Sequence, residues 1–425
     1  MSRIDRTRPT PTAGAARVRF DRHELAGGLG DAGLLIPLAV AMVTLNGISA
    51  TAAFGLVGLA YAGTALYFRV PVPVQPLKAF AAAAIALDLG PETIAAGALL
   101  MAAAMAILAA TGLATWLAER FPLILVRGIQ ASVALLLAKA AVELAERGNW
   151  DGLPPVAPEV GLLTAVAACA VLLVSRRSQA LPGSLLVLGG GIVAGLAVAG
   201  IPSGIDLGPG PVAVSVPDLD TFGVALTSLV IAQLPLTFGN SIVATADAEQ
   251  SYFGDRARRV RPSRLAASIG ACNLTAGLTG GLPLCHGAGG VTAHYKLGAR
   301  TAGATLSAGA IFLALALAVG DSLPALLLVL MPGALAGMLL FVAIQHALLA
   351  ASLDRLGDRL ITAGVAAVTL ASGNLAVGFA AGAAALGIRA ALGARRRSRA
   401  TFGTSVVVNV PFDQRRKEAV RDEGG

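Results

Sequence analysis

Two short stretches of this chain set proline beside polar side chains within apolar surroundings. They are Arg69-Val-Pro-Val-Pro-Val-Gln-Pro-Leu-Lys-Ala-Phe80 and Leu282-Pro-Leu-Cys-His-Gly-Ala-Gly-Gly-Val-Thr-Ala-His294. Alternating Val and Pro excludes a helix, because proline lacks the N–H and its ring clashes with the preceding turn. Each stretch therefore predicts an extended segment running into a short helix. In the first, Pro76 falls in the first turn of a helix over 77–88. In the second, residues 282–285 are extended and a helix starts near Gly287, with Gly287, Gly289 and Gly290 letting a ligand approach the backbone. Two helix N-termini brought face to face would each offer unpaired N–H groups and about half a positive charge. That is the chemistry of an anion site.

The side chains around these breaks suit the same ligand. A charge at the centre of a bilayer costs about 2.5–3.5 kcal/mol on insertion scales, so Lys78 is a functional candidate that could supply positive charge. The competing reading has Lys78 reach an interface or pair with a carboxylate such as Asp31. Gln75 both donates and accepts, as an oxyanion pocket requires, or else caps a helix. Asp31, in Gly27-Gly-Leu-Gly-Asp-Ala-Gly-Leu-Leu-Ile-Pro37, carries a coupling proton or forms a structural pair; both readings stay open. Gln233 and Asn240 are seven residues apart and share a helix face, directed at a cavity or at a neighbouring helix. His286 can donate to an anion or exchange a proton. The candidate binding set is thus Gln75, Pro76, Lys78, Gln233, Asn240 and His286, with the backbone of Gly287, Ala288 and Gly289; Asp31 is the candidate proton carrier.

Other chemistries find no support. Cys285 and His286 are adjacent and give no shared metal-ligand face, and no second cluster accompanies them, so neither metal nor cofactor is expected. Cys169 and Cys272 read as small core residues. No Walker A, Ser-His-Asp or HExxH arrangement is present, so an enzyme is not expected. Lys139 and Glu143 form an ordinary i,i+4 pair.

The elements that must hold these residues follow from composition. Of 425 residues, 56% are hydrophobic and 13% charged, against roughly 25% charged in soluble domains. This excludes a soluble globular protein, a disordered chain and a disulfide scaffold. Spans of about 20 apolar residues predict seven segments up to residue 200: 27–45, 49–68, 75–88, 93–117, 122–144, 159–175 and 182–200. Seven more follow: 219–246, 264–281, 286–299, 301–319, 323–349, 359–371 and 372–392. The third of each set is too short to cross alone.

With alternating orientation from a cytoplasmic N-terminus, 23 basic residues fall in inside loops and span-flanking tails, and one, Arg147, falls outside. That asymmetry is the positive-inside rule. The net charge of +8 is therefore a topology signal, and nucleic acid is not an expected partner. Both termini read as cytoplasmic. Residues 1–22 form a basic tail with no apolar signal region, 23–200 a first repeat, 201–218 an extracytoplasmic connection, 219–392 a second repeat and 393–425 a second tail. Pro73 and Pro283 are 210 residues apart, as are Pro122 and Pro332. With an odd number of spans per half, the halves have opposite membrane orientations, the pattern of secondary transporters with a site at the midplane. The fold class predicted is an all-α polytopic membrane protein, with 14 transmembrane segments in two inverted seven-segment repeats and two half-helices.

Several of these motifs together resemble the molybdate transporter family, a branch of the sulfate permease superfamily without a C-terminal regulatory domain. The resemblance covers about residues 23–392. It rests on Leu29-Gly-Asp-Ala-Gly33, Pro71-Val-Pro-Val-Gln-Pro-Leu-Lys78, Arg127-Gly-Ile-Gln130, Gln233-Leu-Pro-Leu-Thr237 with Asn240-Ser241, Leu282-Pro-Leu-Cys-His-Gly-Ala-Gly-Gly290 and Leu297-Gly-Ala-Arg-Thr301. Two positions depart from the family pattern: Ala32 where its G-D-L-G has Leu, and Ala232 where Gly is usual. The resemblance implies the fold shared by uracil permeases and anion exchangers. It also implies uptake of a tetrahedral oxyanion, molybdate or sulfate, by alternating access, with proton symport through Asp31 as an option. The implied core is spans 1–4 and 8–11, rocking against a gate of spans 5–7 and 12–14. The setting is the cell (inner) membrane; the expected partners are the oxyanion, the lipid bilayer and, as an open option, a second copy in a homodimer. The alternatives are a same-fold permease for another small anion or a nucleobase and, from another class, an intramembrane enzyme or scaffold.

Overall fold

A computed structural model of the chain describes residues 17–113, 116, 122–147, 157–175, 183–200, 207–212, 214–320, 322–323, 326 and 332–403. Its first half runs α1 (Arg22–Gly28), α2 (Ala32–Asn46), α3 (Ala50–Phe68), β1 (Gln75–Pro76), α4 (Lys78–Ala86), α5 (Pro91–Thr111), α6 (Leu123–Arg147), α7 (Pro158–Ser175) and α8 (Gly183–Ala199). The second half opens with a continuous run of α9 (Leu219–Ala225), α10 (Ile231–Leu236) and α11 (Thr245–Phe253), joined through π-helical turns at Leu226–Val230 and Thr237–Ala244. It continues with α12 (Pro262–Thr279), β2 (Leu284–Cys285), α13 (Ala288–Lys296), α14 (Gly303–Val319), α15 (Pro332–Ala350), α16 (Leu356–Ser372) and α17 (Leu375–Gly403).

Seven of the described helices are long and apolar enough to cross a membrane: Ala50–Phe68, Pro91–Thr111, Leu123–Glu146, Pro158–Ser175, Leu219–Ala257, Pro332–Ala350 and Leu375–Leu392. Three shorter apolar helices, Leu34–Asn46, Leu186–Ala197 and Gly303–Val319, accompany them. The protein is a multi-pass membrane protein. Pro235 removes one hydrogen bond from the long run and crowds the preceding turn. The chain relieves this by widening into π turns on both sides.

Packing relates the two halves. α3 lies against α14 and α5 against α12; α6 lies against α15; α15 also meets α7, as α6 meets α16. Exchanging each first-half helix for its second-half counterpart maps the α6–α15 contact onto itself and the other four onto one another. The crossings are built on glycine, which lets backbones approach without a side chain between them. A Cβ on Gly58 would lie 2.8 Å from the Gly309 carbonyl oxygen, and one on Gly309 2.8 Å from that of Gly58. Residues up to Gly382 form one compact unit, and Ala383–Gly425 a second, whose described part is the end of α17.

Several boundaries differ from the sequence expectation. The first span begins at Ala32, not residue 27, because residues 22–28 form a separate helix. Asp21 caps that helix by accepting from the His23 and Glu24 N–H groups (2.9 and 3.0 Å), which lowers the pKa of its carboxyl. Residues 17–22 are also more than a tail. The Arg19 N–H donates to Thr301 Oγ1 (3.2 Å), and Arg19 pairs at 3.2 Å with the fully buried Glu24, which accepts from the Arg300 and Thr301 N–H groups. The last helix continues past residue 392 to Gly403, because no Pro interrupts it and Arg and Ala sustain a helix well. The start of the expected segment 323–349 (residues 324–325 and 327–331) and the tail beyond 403 lie outside the described residues, as do 201–206 of the connection.

The glycine crossing is testable. Gly309→Ala is expected to destabilise the purified protein by about 1–3 kcal/mol, the range for overpacking, seen as a lower melting midpoint in detergent. Gly63→Ala, where a Cβ meets nothing within 4 Å, should leave the midpoint unchanged or raise it.

Candidate functional site

The two broken segments meet as a two-stranded antiparallel pair, with Gln75 opposite Cys285 and Pro76 opposite Leu284. The Leu77 N–H extends the pairing by donating to the Pro283 carbonyl (3.0 Å), and the Cys285 thiol donates to the Pro76 carbonyl (3.3 Å). Asn273 of α12 serves the free edge of β2: its Oδ1 accepts from the Leu284 N–H (3.2 Å) and its Nδ2 donates to the Leu284 carbonyl (2.7 Å). The first short helix consequently starts at Lys78, with Leu77 as N-cap, and ends at Ala86. Pro76 stands in the strand and not in the helical turn predicted for it. Pairing with β2 holds residues 75–77 extended until the last cross-strand bond is made. The second helix starts at Ala288, one residue after Gly287, its extended N-cap.

His286 belongs to this framework. It is buried, with Nδ1 2.8 Å from the Pro73 carbonyl and Nε2 3.1 Å from Ser268 Oγ. A carbonyl only accepts, so Nδ1 carries the proton and Nε2 accepts from the Ser268 hydroxyl. Both ring nitrogens are thereby engaged, and the imidazole ties the first broken segment to α12.

Gln233 closes part of the first N-terminus. Its Oε1 accepts from the Phe80 N–H (3.1 Å), and its Nε2 donates to Thr237 Oγ1 (3.0 Å). Among the described residues the Lys78 and Ala79 N–H groups of the same turn have no protein acceptor. Gln75 Nε2 donates to Asp31 Oδ2, while Gln75 Oε1 is buried without a partner among the described residues. Gly287 and Gly290 allow this packing. A Cβ on Gly290 would come within 2.6 Å of Gln75 Nε2 and 2.8 Å of Asp31 Oδ2, and one on Gly287 within 3.2 Å of Lys78 Nζ.

These residues border a cavity of about 550 Å³. Of the predicted set, Asp31, Gln75, Lys78, Gln233, Asn240 and Gly289 line it; the side chains of Pro76 and His286 serve the framework, and Gly287 and Ala288 border the lining residue Gly289 in sequence. Lys78 and Asp31 form no ion pair among the described residues, so the alternative that made Lys78 a salt-bridge partner is not what the site shows. Gln233 and Asn240 reach the cavity together although a π turn intervenes. No group of three or more His, Cys, Asp or Glu side chains suited to a metal occurs among the described residues.

Part of the cavity lining is not anticipated by the sequence. Gln130, Gln345 and His346 line the cavity beside Leu172 and Phe341. Gln130 lies in the quoted Arg-Gly-Ile-Gln motif. Gln345-His346 is a polar pair in the otherwise apolar helix Pro332–Ala350, and that interruption was the available signal. Glu249 was also missed; it is fully buried, whereas Asp247, two residues earlier, is exposed. The Lys139–Glu143 pair forms as its spacing predicts, at 3.3 Å on an exposed face.

Comparison with known proteins identifies the family and the fold. The family described as "Molybdate transporter of MFS superfamily" matches residues 23–137 and 225–345, which include both broken segments and the Gln345-side wall up to that residue. Molybdate transporter 2 of Arabidopsis thaliana is 28% identical over 401 residues, covering 84% of this chain and 85% of its own. Molybdate transporter 1 of the same plant is 29% identical over 396 residues, covering 84% and 86%. Among solved structures, the transmembrane domain of a cyanobacterial bicarbonate transporter, BicA, superposes with a TM-score of 0.62 at 18% identity, over 86% of this chain and 98% of that one. Murine Slc26a9, an anion transporter in the inward-facing state, gives 0.60 at 14% identity, over 87% and 68%. At such identities these two speak for the fold alone, the arrangement common to uracil permeases and anion exchangers. With its broken segments, its cavity and its relatives in agreement, the chain belongs to the molybdate transporter family.

Proposed function

We propose that the chain is a secondary transporter that takes up a tetrahedral oxyanion, molybdate first and sulfate as the close competitor, by alternating access. The observation that carries this reading is the convergence of an unpaired lysine, Lys78, and the first turns of two half-helices on one cavity. A helix N-terminus disfavours a cation by the same dipole that attracts an anion. Lys78 at the first position of α4 is therefore out of place until an anion arrives. The bound oxyanion would take N–H donors from Lys78 and Ala79 on one side and from Ala288 to Gly290 on the other, with Gln75 and Asn240 beside them. A nucleobase is less well served, because the 282–294 segment offers no carboxylate to a ring N–H.

Orientation and energetics complete the proposal. The distribution of basic residues supports an orientation with both termini in the cytoplasm and 14 segments in the inner membrane. Against an inside-negative potential each charge costs about 2.3 kcal/mol per 100 mV, so a dianion needs a co-transported cation. Asp31 is the carboxylate that lines the cavity, and its bond to Gln75 couples it to the anion side. Proton symport through Asp31 is the coupling this arrangement supports. Spans 1–4 with 8–11 form the core, and spans 5–7 with 12–14 the gate.

Uptake of radiolabelled molybdate and sulfate into proteoliposomes tests the reading directly. Saturable uptake that each anion blocks for the other is expected; a correctly folded, reconstituted protein that moves neither would end the proposal. Lys78→Ala should weaken oxyanion binding about 10- to 100-fold, the cost of removing a charged hydrogen-bond partner; unchanged affinity would take Lys78 out of the site. Asp31→Asn should retain binding but lose the stimulation of uptake by an inward proton gradient, measured as initial rate with and without the gradient.

A further inference from the structure

The cavity has a second wall, formed by α6 and α15, which none of the half-helix chemistry uses. On it, His346 is 3% exposed and its Nδ1 has no hydrogen-bond partner among the described residues; the Nε2 of the neighbouring Gln345 is likewise buried and unpartnered. Both residues line the cavity. Burying such groups costs free energy unless something satisfies them, and neither has a protein partner among the described residues. Gln130 of α6 adds a third group. Arg127 donates to its Oε1 at 2.8 Å, which leaves the NH2 of this lining residue as the half of the amide with no protein acceptor among the described residues.

The character of this wall matters as much as its vacancies. Its polar groups are two amides and an imidazole, and among the described residues no carboxylate of α6 or α15 lines the cavity. The cavity's acidic lining residue, Asp31, is on the other wall and already accepts from Gln75. Polar groups from two sets of helices therefore border one space, Lys78 from α4 and Gln130, Gln345 and His346 from α6 and α15. A tetrahedral anion directs oxygens to both sides at once. A halide has no directed oxygens, and a planar anion presents oxygens in one plane only.

We propose that Gln130, Gln345 and His346 are specificity-determining residues that grip the outward-facing oxygens of a tetrahedral oxyanion, so that the bound anion bridges the α4 and α13 half-helices to the α6–α15 wall. This rests on the oxyanion reading above and deepens it. The bridge makes closure of the two walls depend on occupancy by an anion with oxygens on both faces. Gln345→Leu and His346→Phe each remove a donor while preserving bulk.

The test is equilibrium binding of labelled molybdate to the full-length purified protein, with sulfate and nitrate as competitors. The expected result is molybdate affinity at least 10-fold weaker in each variant and weaker still in the pair. Nitrate competition should shift less than 2-fold, and His346→Asn, which keeps a nitrogen near the Nδ1 position, should recover part of the loss. A general structural defect would weaken both competitors together and would not be rescued. Gln345→Glu, of nearly the same shape, is the second probe should the apolar variants fail to fold; it replaces a donor by a negative acceptor and should abolish binding. Parent-like molybdate affinity in folded Gln345→Leu, His346→Phe or Gln345→Glu protein overturns the inference while leaving the transport reading intact. A parent protein that binds neither molybdate nor sulfate overturns both.

Discussion

Every feature of the site depends on one constraint: backbone that leaves helical geometry inside an apolar bundle must still satisfy its N–H and C=O groups. Prolines break two segments, and the chain meets the resulting demand by pairing one break with the other. Gln75 and Pro76 lie against Cys285 and Leu284, Leu77 bonds to Pro283, and the Asn273 amide serves the edge that remains. His286 adds a strut from Pro73 to Ser268. Segments 209 positions apart are thereby locked at a fixed offset. The two short helices that leave the pair begin beside the same cavity, and their N-termini converge because the strands do.

Electrostatics follow from that placement. The pairing consumes the acceptors near the breaks and leaves first-turn donors facing the space. Lys78 adds a cation where the helix dipole opposes it, a local conflict of the sort that functional sites retain. Asp31 accepts from Gln75, and among the described residues it forms no ion pair with Lys78. Glycine makes the arrangement compact. Side chains at Gly287 or Gly290 would intrude on Gln75, and Gly58 and Gly309 let α3 and α14 touch backbone to backbone.

Much of this was legible in the linear chain. Low charge content, spans of apolar residues and the distribution of Arg identify a membrane protein, since lipid tolerates so few polar groups that each survivor carries information. Proline spacing located both breaks, and Lys78, Gln75, Gln233 and Asn240 stood out as polar residues in apolar runs. The readings that shifted did so where neighbours outvote local preference. Pro76 suits a helix start by its own geometry, yet cross-strand pairing holds it extended. His286 has the chemistry of a ligand, yet Pro73 and Ser268 occupy both nitrogens. Gly27 and Gly28 read as the start of the first span, yet they end a separate capped helix over 22–28 that docks by Glu24 against 300–301.

The sequence by itself determined that this is a polytopic membrane protein with two proline-broken segments, and which polar residues could meet an anion. Those conclusions rest on the energetics of single residues in lipid and on backbone rules that act over a few positions. Only the tertiary structure decided which candidates line the cavity, which serve as framework, and that Gln345 and His346 border the same space. Those outcomes depend on contacts between segments hundreds of residues apart, where a side chain's role is set by the partner that reaches it first.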